Sequence, residues 1–235
     1  MAGIFYGVGV GPGDPELITL KAIQTIKNAD VIIAPKTEKK EDSVALTIAT
    51  PYLKADVSVV KLVFPMVSDD QTLTEAWREN KECILEYLQA GKNVVFLTLG
   101  DAMFYSTYIY VFQLLQDCGF PIVTIPGITA FAAIGSQLGY PLVEGNDTLT
   151  VIPATMDEAK LDRVLAVADN VVLMKVYKNF PRIREMLDRH GLAANAVMIS
   201  RCGLDDEQVI RDLAHVAADY RPNYLSTILT RRSKG

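Results

Sequence analysis

The sequence predicts an α/β protein with two α/β domains, an N-terminal parallel sheet with crossover helices and a C-terminal mixed sheet. Short β-rich runs alternate with helical patterns through the first half of the chain, which is the rhythm of a parallel sheet. Within it, the run Val94-Val95-Phe96-Leu97 is apolar at every position and indicates a central strand buried on both faces. The character changes at about Pro126, so we place the domains over 1–126 and 127–235.

The helices and strands of the first domain are predicted from where the hydrophobic pattern changes between a strand-like and a helical period. The longest helix is indicated by acidic residues that recur at helical spacing from Glu75 to Glu86, which is typical of a solvated helix face. Strands are expected near 4–10, 31–35, 57–63, 93–99 and 122–125, with helices near 16–28, 43–52, 71–90 and 105–117.

The second domain opens with a predicted helix over 128–138, which ends at the loop Gly139-Tyr140-Pro141. Strand-like runs follow at 148–153, 170–176, 196–201 and 224–230, with helices between them. Several of these connections are short, and a parallel pair needs a long crossover connection. We therefore expect this sheet to be mixed.

Composition excludes several classes of protein. The chain has 235 residues and a net charge of −5, which argues against a general nucleic-acid binder because such a protein needs a basic face. Cys83, Cys118 and Cys202 have no C-x-x-C spacing, so we predict neither a disulfide framework nor a protein-bound metal. We find no leader pattern and no apolar run near 18 residues, so we expect a cytoplasmic protein with no membrane partner.

The most informative segment is the glycine-dense turn Gly7–Pro15, which follows a predicted strand. A dinucleotide fingerprint counted from Gly7 needs glycine at position 12, where Pro12 stands without an N–H to offer a pyrophosphate. No Gly-Lys-Ser or Gly-Lys-Thr follows the turn, so a Walker-type phosphate loop is excluded as well.

Three glycine-bearing segments follow predicted strands, namely Gly9–Pro15, Gly100–Thr107 and Pro126–Ala130. Loops beyond the carboxyl ends of parallel strands line one crevice, so we expect these three to converge on a ligand. The alternative is that they are only tight turns, in which glycine and aspartate are common. Asp101 either caps the helix expected near Phe104 or accepts hydrogen bonds from a ligand.

We find no pattern of a nucleophile with its base. Ser106 and Ser136 lack the G-x-S-x-G setting, and His190 and His215 lie in polar helical surroundings typical of surface residues. This favours a reaction that needs little acid–base help.

The opening segment Tyr6–Ala22, with Gly9-x-Gly11-Pro12-Gly13-Asp14-Pro15 at its centre, resembles the signature of the tetrapyrrole methylases, class III S-adenosylmethionine-dependent methyltransferases. Gly100–Thr107 resembles their second loop and Pro126–Ala130 their helix start. Within the family, the Met-Phe-Tyr-Ser-Thr form of the second loop most resembles members that methylate carbon 20 of precorrin-2 or cobalt-factor II. Ala102 replaces the usual proline, and Ala34-Pro35-Lys36 stands where uroporphyrinogen methylases carry an aspartate, which counts against that activity.

The resemblance implies a homodimer that binds S-adenosylmethionine and a tetrapyrrole in the cleft between its domains. Carried over position by position, the cofactor contacts are Pro12, Leu99, Gly100, Asp101, Phe104, Thr129, Ala130, Lys175, Val176 and Gly203.

The implied reaction moves the sulfonium-bound methyl group to an electron-rich meso carbon and depends mainly on alignment. That carbon also loses a proton, for which Asp101 and Tyr105 are the candidate acceptors. A substrate with many carboxylates needs cations, and the candidates are Lys36, Lys39, Lys40, Lys178 and Arg182. The alternative for the charged segment 36–42 is that it is only a solvated connector. For the function, one alternative is a class III methylase that acts on a different precorrin position, on uroporphyrinogen III, on ribosomal RNA ribose or on diphthine. The other is a non-catalytic carrier of the tetrapyrrole or of S-adenosylmethionine.

Overall fold

A computed structural model of the chain describes residues 2–36, 43–65, 70–213, 215–217 and 219–232. The chain divides into two compact units, Met1–Thr129 and Ala130–Gly235. The predicted division into domains at residue 126 stays a prediction. The predicted substrate-binding residues Lys39 and Lys40 lie outside the described residues.

The first unit is built on a five-stranded sheet in which every pair of strands is parallel. Its strand order is β3-β2-β4-β1-β5, so β4 is central and buried along its whole length, as predicted. The strands are β1 Phe5–Gly9, β2 Val31–Lys36, β3 Ser58–Val63, β4 Val94–Thr98 and β5 Ile122–Ile125. The helices are α1 Leu20–Lys27, α2 Val44–Ala49, α3 Asp70–Gln89 and α4 Tyr108–Leu115. Because all the strands run the same way, their carboxyl ends share one edge of the sheet.

Two features of the first unit differ from the helices expected from the sequence. The expected helix over 16–28 is divided into a short 3-10 helix, Pro15–Leu17, and α1, because Ile18 and Thr19 are extended. Asp14 caps the first piece, and the Thr19 hydroxyl accepts a hydrogen bond from the Ala22 amide at 3.2 Å to cap the second. Helix α4 begins at Tyr108 instead of residue 105, because Tyr105 has a φ of 49°, which a right-handed helix does not allow.

An aromatic core supports β1. The Tyr108 ring lies against Gly7, and it is stacked on Phe5 with centroids 6.0 Å apart. The buried hydroxyl of Tyr108 pairs with the Thr124 hydroxyl of β5 at 2.7 Å, and burial raises the pKa of this phenol. Gly7 is therefore the position at which β1 accommodates an aromatic ring that also contacts β5.

The second unit is built on a mixed sheet, as predicted, with strand order β6-β7-β10-β8-β9. Strands β6 and β7 are parallel, whereas β10 is antiparallel to both β7 and β8. The strands are β6 Leu149–Pro153, β7 Asn170–Met174, β8 Val197–Ser200, β9 Gln208–Ile210 and β10 Ser226–Arg231. The helices are α5 Ala130–Leu138, α6 Glu158–Val167 and α7 Phe180–Arg189.

Strand β9 was not expected from the sequence. It has three residues, too few to show a period of two, and it pairs with β8 at the edge of the sheet. Among the helices of the described ranges, none combines the length and the apolar character needed to cross a bilayer.

We expect the Gly7→Ala substitution to destabilise the protein by about 1–3 kcal/mol, because it overpacks the core. An added Cβ would lie 2.6 Å from Cε1 of Tyr108 and closer still to Cζ. Thermal denaturation of the single variants and of the double variant with Tyr108→Ala measures the effect. The loss of stability caused by Gly7→Ala should be smaller in the Tyr108→Ala variant than in the wild type. An equal loss in both proteins would show that the Tyr108 ring is not its cause.

Candidate functional site

The loops that follow β1, β4 and β5 meet through their glycines. A Cβ added to Gly9 would lie 2.6 Å from the Gly100 carbonyl oxygen and 2.7 Å from the Gly127 amide nitrogen. A Cβ on Gly127 would lie 2.7 Å from the carbonyl carbon of Gly9 and would also strike the Gly100 carbonyl. The three loops therefore touch backbone to backbone, and their predicted convergence is confirmed.

Two further main-chain links join the first and second loops. Gly11 and Gly100 exchange hydrogen bonds, with N···O distances of 3.2 and 2.8 Å, and the Val10 amide donates to the Thr98 carbonyl at 2.9 Å. Gly11 and Gly100 have φ values of 78° and 72°, a backbone conformation that favours glycine. Pro12 follows directly and is buried, so its fixed φ extends this rigid turn.

Asp101 connects the second loop to the third. One carboxylate oxygen accepts a hydrogen bond from the Met103 amide, and the other accepts one from the Gly127 amide, both at 2.9 Å. The carboxylate does not cap α4, which begins later in the chain, at Tyr108. Asp101 thus has a structural role that neither sequence interpretation included, and a role in proton transfer stays a prediction.

The rest of the second loop is held in one conformation by local contacts. The buried Ser106 hydroxyl donates to the Ala102 carbonyl, and the rings of Phe104 and Tyr105 meet edge to face with centroids 4.8 Å apart. Tyr105 combines its positive φ with 43% exposure. A strained conformation of this kind persists where the surrounding structure holds it, and such residues cluster at functional sites.

The structure places the predicted cofactor residues of the first unit at one edge of its sheet. The loops at this edge carry Pro12, Leu99, Gly100, Asp101, Phe104 and Thr129. Ala130, the next predicted residue, is the first residue of α5.

Thr98 was not singled out from the sequence. It ends β4 and is 6% exposed, and its hydroxyl oxygen has no hydrogen-bond partner in the part of the chain that the structure describes. The only signal in the sequence is one polar residue at the end of the apolar run Val94–Leu97.

The predicted cofactor residues of the second unit also follow strands. Lys175 comes directly after β7 and has a φ of 60°, and Val176 beside it is buried. Arg201 comes directly after β8 and has a φ of 56°, and its amide donates to the Leu225 carbonyl at 2.9 Å. Strands β7 and β8 both flank β10, so these two left-handed residues lie at one edge of the sheet.

Gly203 lies in a loop that a carboxylate organises. The Gly203 amide donates to Oε2 of Glu207 at 2.7 Å, and the Gln137 side-chain amide donates to Oε1 at 2.6 Å. Arg201 forms an ion pair with Asp206 in the same loop. Sequence analysis missed Gln137, Arg201 and Glu207, because their contacts depend on the β8–β9 turn and on α5.

The predicted substrate cations have different surroundings. Lys36 ends β2 at the same edge as the three loops and is half-buried, whereas Lys178 is exposed, with Nζ 5.8 Å from the Tyr177 ring centroid. Arg182 on α7 forms ion pairs with Glu158 and, at 3.1 Å, with Glu185, and these hydrogen bonds raise its pKa. Arg182 would have to exchange these carboxylates for a substrate.

Cys83, Cys118 and Cys202 are free cysteines, and Cys202 is the one that is buried. Burial, with a smaller contribution from Glu207, raises the pKa of the Cys202 thiol to about 11, so its thiolate form is strongly disfavoured at neutral pH. Within the described ranges, no three His, Cys, Asp or Glu side chains are grouped to hold a metal ion.

Comparison with known proteins extends along almost the whole chain. The family described as Tetrapyrrole (Corrin/Porphyrin) Methylases matches residues 5–217. The cobalt-precorrin-2 C(20)-methyltransferase of Salmonella typhimurium is 39% identical over 234 residues, covering 99% of this chain and 98% of the relative. The precorrin-2 C(20)-methyltransferase of Sinorhizobium sp is 37% identical, with 97% and 94% covered.

A solved structure has the same fold. The uroporphyrin-III C-methyl transferase of Thermus thermophilus, complexed with S-adenyl homocysteine, superimposes with a TM-score of 0.70 at 24% identity, covering 97% of each chain. At this identity the likeness shows the fold alone. The family match and the near-full-length relatives, together with the three converging loops, show that this chain belongs to the tetrapyrrole (corrin/porphyrin) methylase family.

Proposed function

We propose that this protein is an S-adenosylmethionine-dependent methyltransferase that methylates carbon 20 of precorrin-2 or its cobalt complex in cobalamin biosynthesis. The observation that carries the proposal is near-full-length identity of 39% and 37% to two relatives whose names specify that carbon of that substrate. Their names differ in whether the substrate contains cobalt, and their identities are too similar to choose between them. The test described below therefore includes both substrates. We also propose, from the family resemblance, a cytoplasmic homodimer.

The edge of the first sheet fits a cofactor that approaches the backbone closely. Gly9 and Gly127 let the three loops touch backbone to backbone, whereas a Cβ added to Gly100 would have its nearest neighbour, the Ile128 carbonyl oxygen, at 3.9 Å, so there is space beside the main chain at Gly100. Pro12 and Gly11 keep the first loop rigid beside this space. We propose that the backbone groups of these loops, with the predicted residues at their tips, hold S-adenosylmethionine.

S-adenosylmethionine supplies an electrophilic methyl group on a sulfonium. The task of the protein is then to align two bound molecules, which can lower a barrier by roughly 7–11 kcal/mol. Asp101 contributes by holding the second and third loops in register through the Met103 and Gly127 amides. Such loops need little rearrangement when a ligand binds, so less binding energy is spent on ordering them.

The carbon that accepts the methyl group must also lose a proton. Asp101 and Tyr105 remain our candidates for the group that accepts it. Both carboxylate oxygens of Asp101 accept main-chain hydrogen bonds, although each oxygen keeps a further lone pair. Tyr105 presents its hydroxyl from an exposed, left-handed position of the same loop.

The carboxylates of the substrate need cations. We propose Lys36, at the carboxyl end of β2, as a contact on the first unit, together with Lys39 and Lys40 from the segment that follows it. On the second unit, exposed Lys178 has no carboxylate partner within the described ranges, in contrast to Arg182, which is paired with two carboxylates. The second-unit residues Lys175, Val176 and Gly203 stay predictions as cofactor contacts.

The activity test is anaerobic incubation of the purified protein with precorrin-2, with its cobalt complex and, separately, with uroporphyrinogen III, each with S-adenosylmethionine that carries an isotope-labelled methyl group. We expect mass spectrometry to show the gain of one methyl group on precorrin-2 or its cobalt complex, and nuclear magnetic resonance to place it on carbon 20. Reactions without protein are the control. Methylation of uroporphyrinogen III alone, or at another carbon, would contradict the proposal.

The Asp101→Asn variant separates a structural role from a catalytic one. Its side-chain amide can accept from only one of the two main-chain donors, so we expect a loss of stability of about 1–3 kcal/mol and weaker binding of S-adenosylhomocysteine. Thermal denaturation and calorimetry measure the two effects, and exposed Asp117→Asn is the matched control. Unchanged stability and affinity with a large loss of kcat would instead identify Asp101 as the proton acceptor.

The Glu207→Ala variant tests the Gly203 loop. Loss of the two hydrogen bonds from Gly203 and Gln137 frees the loop, so we expect S-adenosylhomocysteine to bind on the order of tenfold more weakly. Exposed Asp205→Ala, in the same loop, should leave the affinity unchanged. Equal affinities for wild type and Glu207→Ala would remove this loop from the proposed cofactor site.

A further inference from the structure

The Thr98 side chain ends β4 at the edge where the three loops meet. It is 6% exposed, and its Oγ1 has no hydrogen-bond partner among the residues described here. Several other buried hydroxyls are paired: those of Ser200 and Ser226 lie 2.6 Å apart, and those of Ser106 and Thr230 donate to main-chain carbonyls. The Thr98 hydroxyl differs from these four in having no such partner.

Among the described residues, none forms a hydrogen bond with this hydroxyl. The Thr98 carbonyl already accepts a hydrogen bond from the Val10 amide, and the residue continues the buried strand Val94–Leu97. Valine has the same shape and would fill the position without a buried polar atom. An unsatisfied buried hydroxyl lowers stability, so a protein that retains one has a reason outside the core.

The neighbours of Thr98 place it beside the proposed cofactor site. Across the β1–β4 ladder its partner is Gly9, which has no side chain to cover the hydroxyl from β1. Along the chain it precedes Leu99, Gly100 and Asp101, the loop that we assign to the cofactor. The residue two positions earlier, Phe96, shares its face of the strand and belongs to the aromatic core.

We propose that the Thr98 hydroxyl is a binding contact that forms a hydrogen bond with a polar group of the S-adenosyl cofactor. The inference rests on the proposed function, because it requires that ligand at this edge. A hydroxyl can donate or accept, so it can pair with a carboxylate, an amine or a ribose hydroxyl. Binding then satisfies an atom that has no partner among the residues that the structure describes.

The test is the Thr98→Val variant, with binding of S-adenosylhomocysteine measured by calorimetry and thermal denaturation measured without ligand. We expect opposite effects on the two quantities. The ligand-free Tm should rise by about 2–4 °C, because an unsatisfied polar atom is removed. The dissociation constant should rise roughly five- to tenfold, because the ligand loses a hydrogen bond.

Two further variants complete the test. Thr98→Ser keeps the hydroxyl and should bind S-adenosylhomocysteine within about twofold of wild type. Thr124→Val is the matched control, since it removes a hydroxyl that is bonded to Tyr108 in the same sheet. It should lower the Tm and leave the affinity for the ligand unchanged.

Each outcome either supports or overturns the inference. Weaker binding by Thr98→Val, with a ligand-free Tm at or above that of wild type, supports it. An unchanged dissociation constant overturns it, as does a lower ligand-free Tm, which would mean that the hydroxyl has a partner in the free protein. Failure of the wild-type protein to bind S-adenosylhomocysteine would instead refute the proposed function, and the two failures are thereby distinguished.

Discussion

The first unit depends on one constraint, the contact of three loop backbones at Gly9, Gly100 and Gly127. No side chain fits there, because an added Cβ on Gly9 or Gly127 would lie within 2.8 Å of backbone atoms of the neighbouring loops. The parallel sheet brings the carboxyl ends of the adjacent strands β4, β1 and β5 together. Because the loops after these strands carry glycines, their backbones can touch. The Asp101 carboxylate then adds a hydrogen bond from the second loop to the third.

The second unit reaches a comparable result with different means. Its sheet is mixed, yet β7 and β8 end on the same edge and are each followed by a non-glycine residue in the left-handed region. A carboxylate again organises the loop, since Glu207 accepts hydrogen bonds from Gly203 and from Gln137. In both units a single acidic side chain links a loop to a second segment of the chain, Asp101 through the Gly127 amide and Glu207 through the Gln137 side chain. Such preorganisation reduces the ordering that a ligand must bring about when it binds.

Side chains that already form hydrogen bonds or ion pairs within the protein differ in role from side chains that are candidates to contact a ligand. Asp101, Glu207 and Arg182 already have protein partners, so their first effect is on the shape of a loop or helix. The Thr98 hydroxyl, in contrast, is buried without a partner among the described residues. A buried polar atom that folding does not satisfy is a more specific indication of a ligand contact than an exposed charge, because solvent can satisfy the charge.

The sequence by itself determined most of the elements, the two sheet types and the motifs that carry the family resemblance. Apolar runs such as Val94–Leu97 and the glycines after the strands are local signals, and they predicted a central buried strand and loops that converge at one edge. Only the tertiary structure decided which groups meet: Asp101 with Gly127, 26 residues away, and Glu207 with Gln137, 70 residues away. The short edge strand β9 and the unpartnered Thr98 hydroxyl were also invisible in the sequence. The reason is physical, since periodicity and propensity report neighbours along the chain, whereas these contacts depend on how distant segments pack.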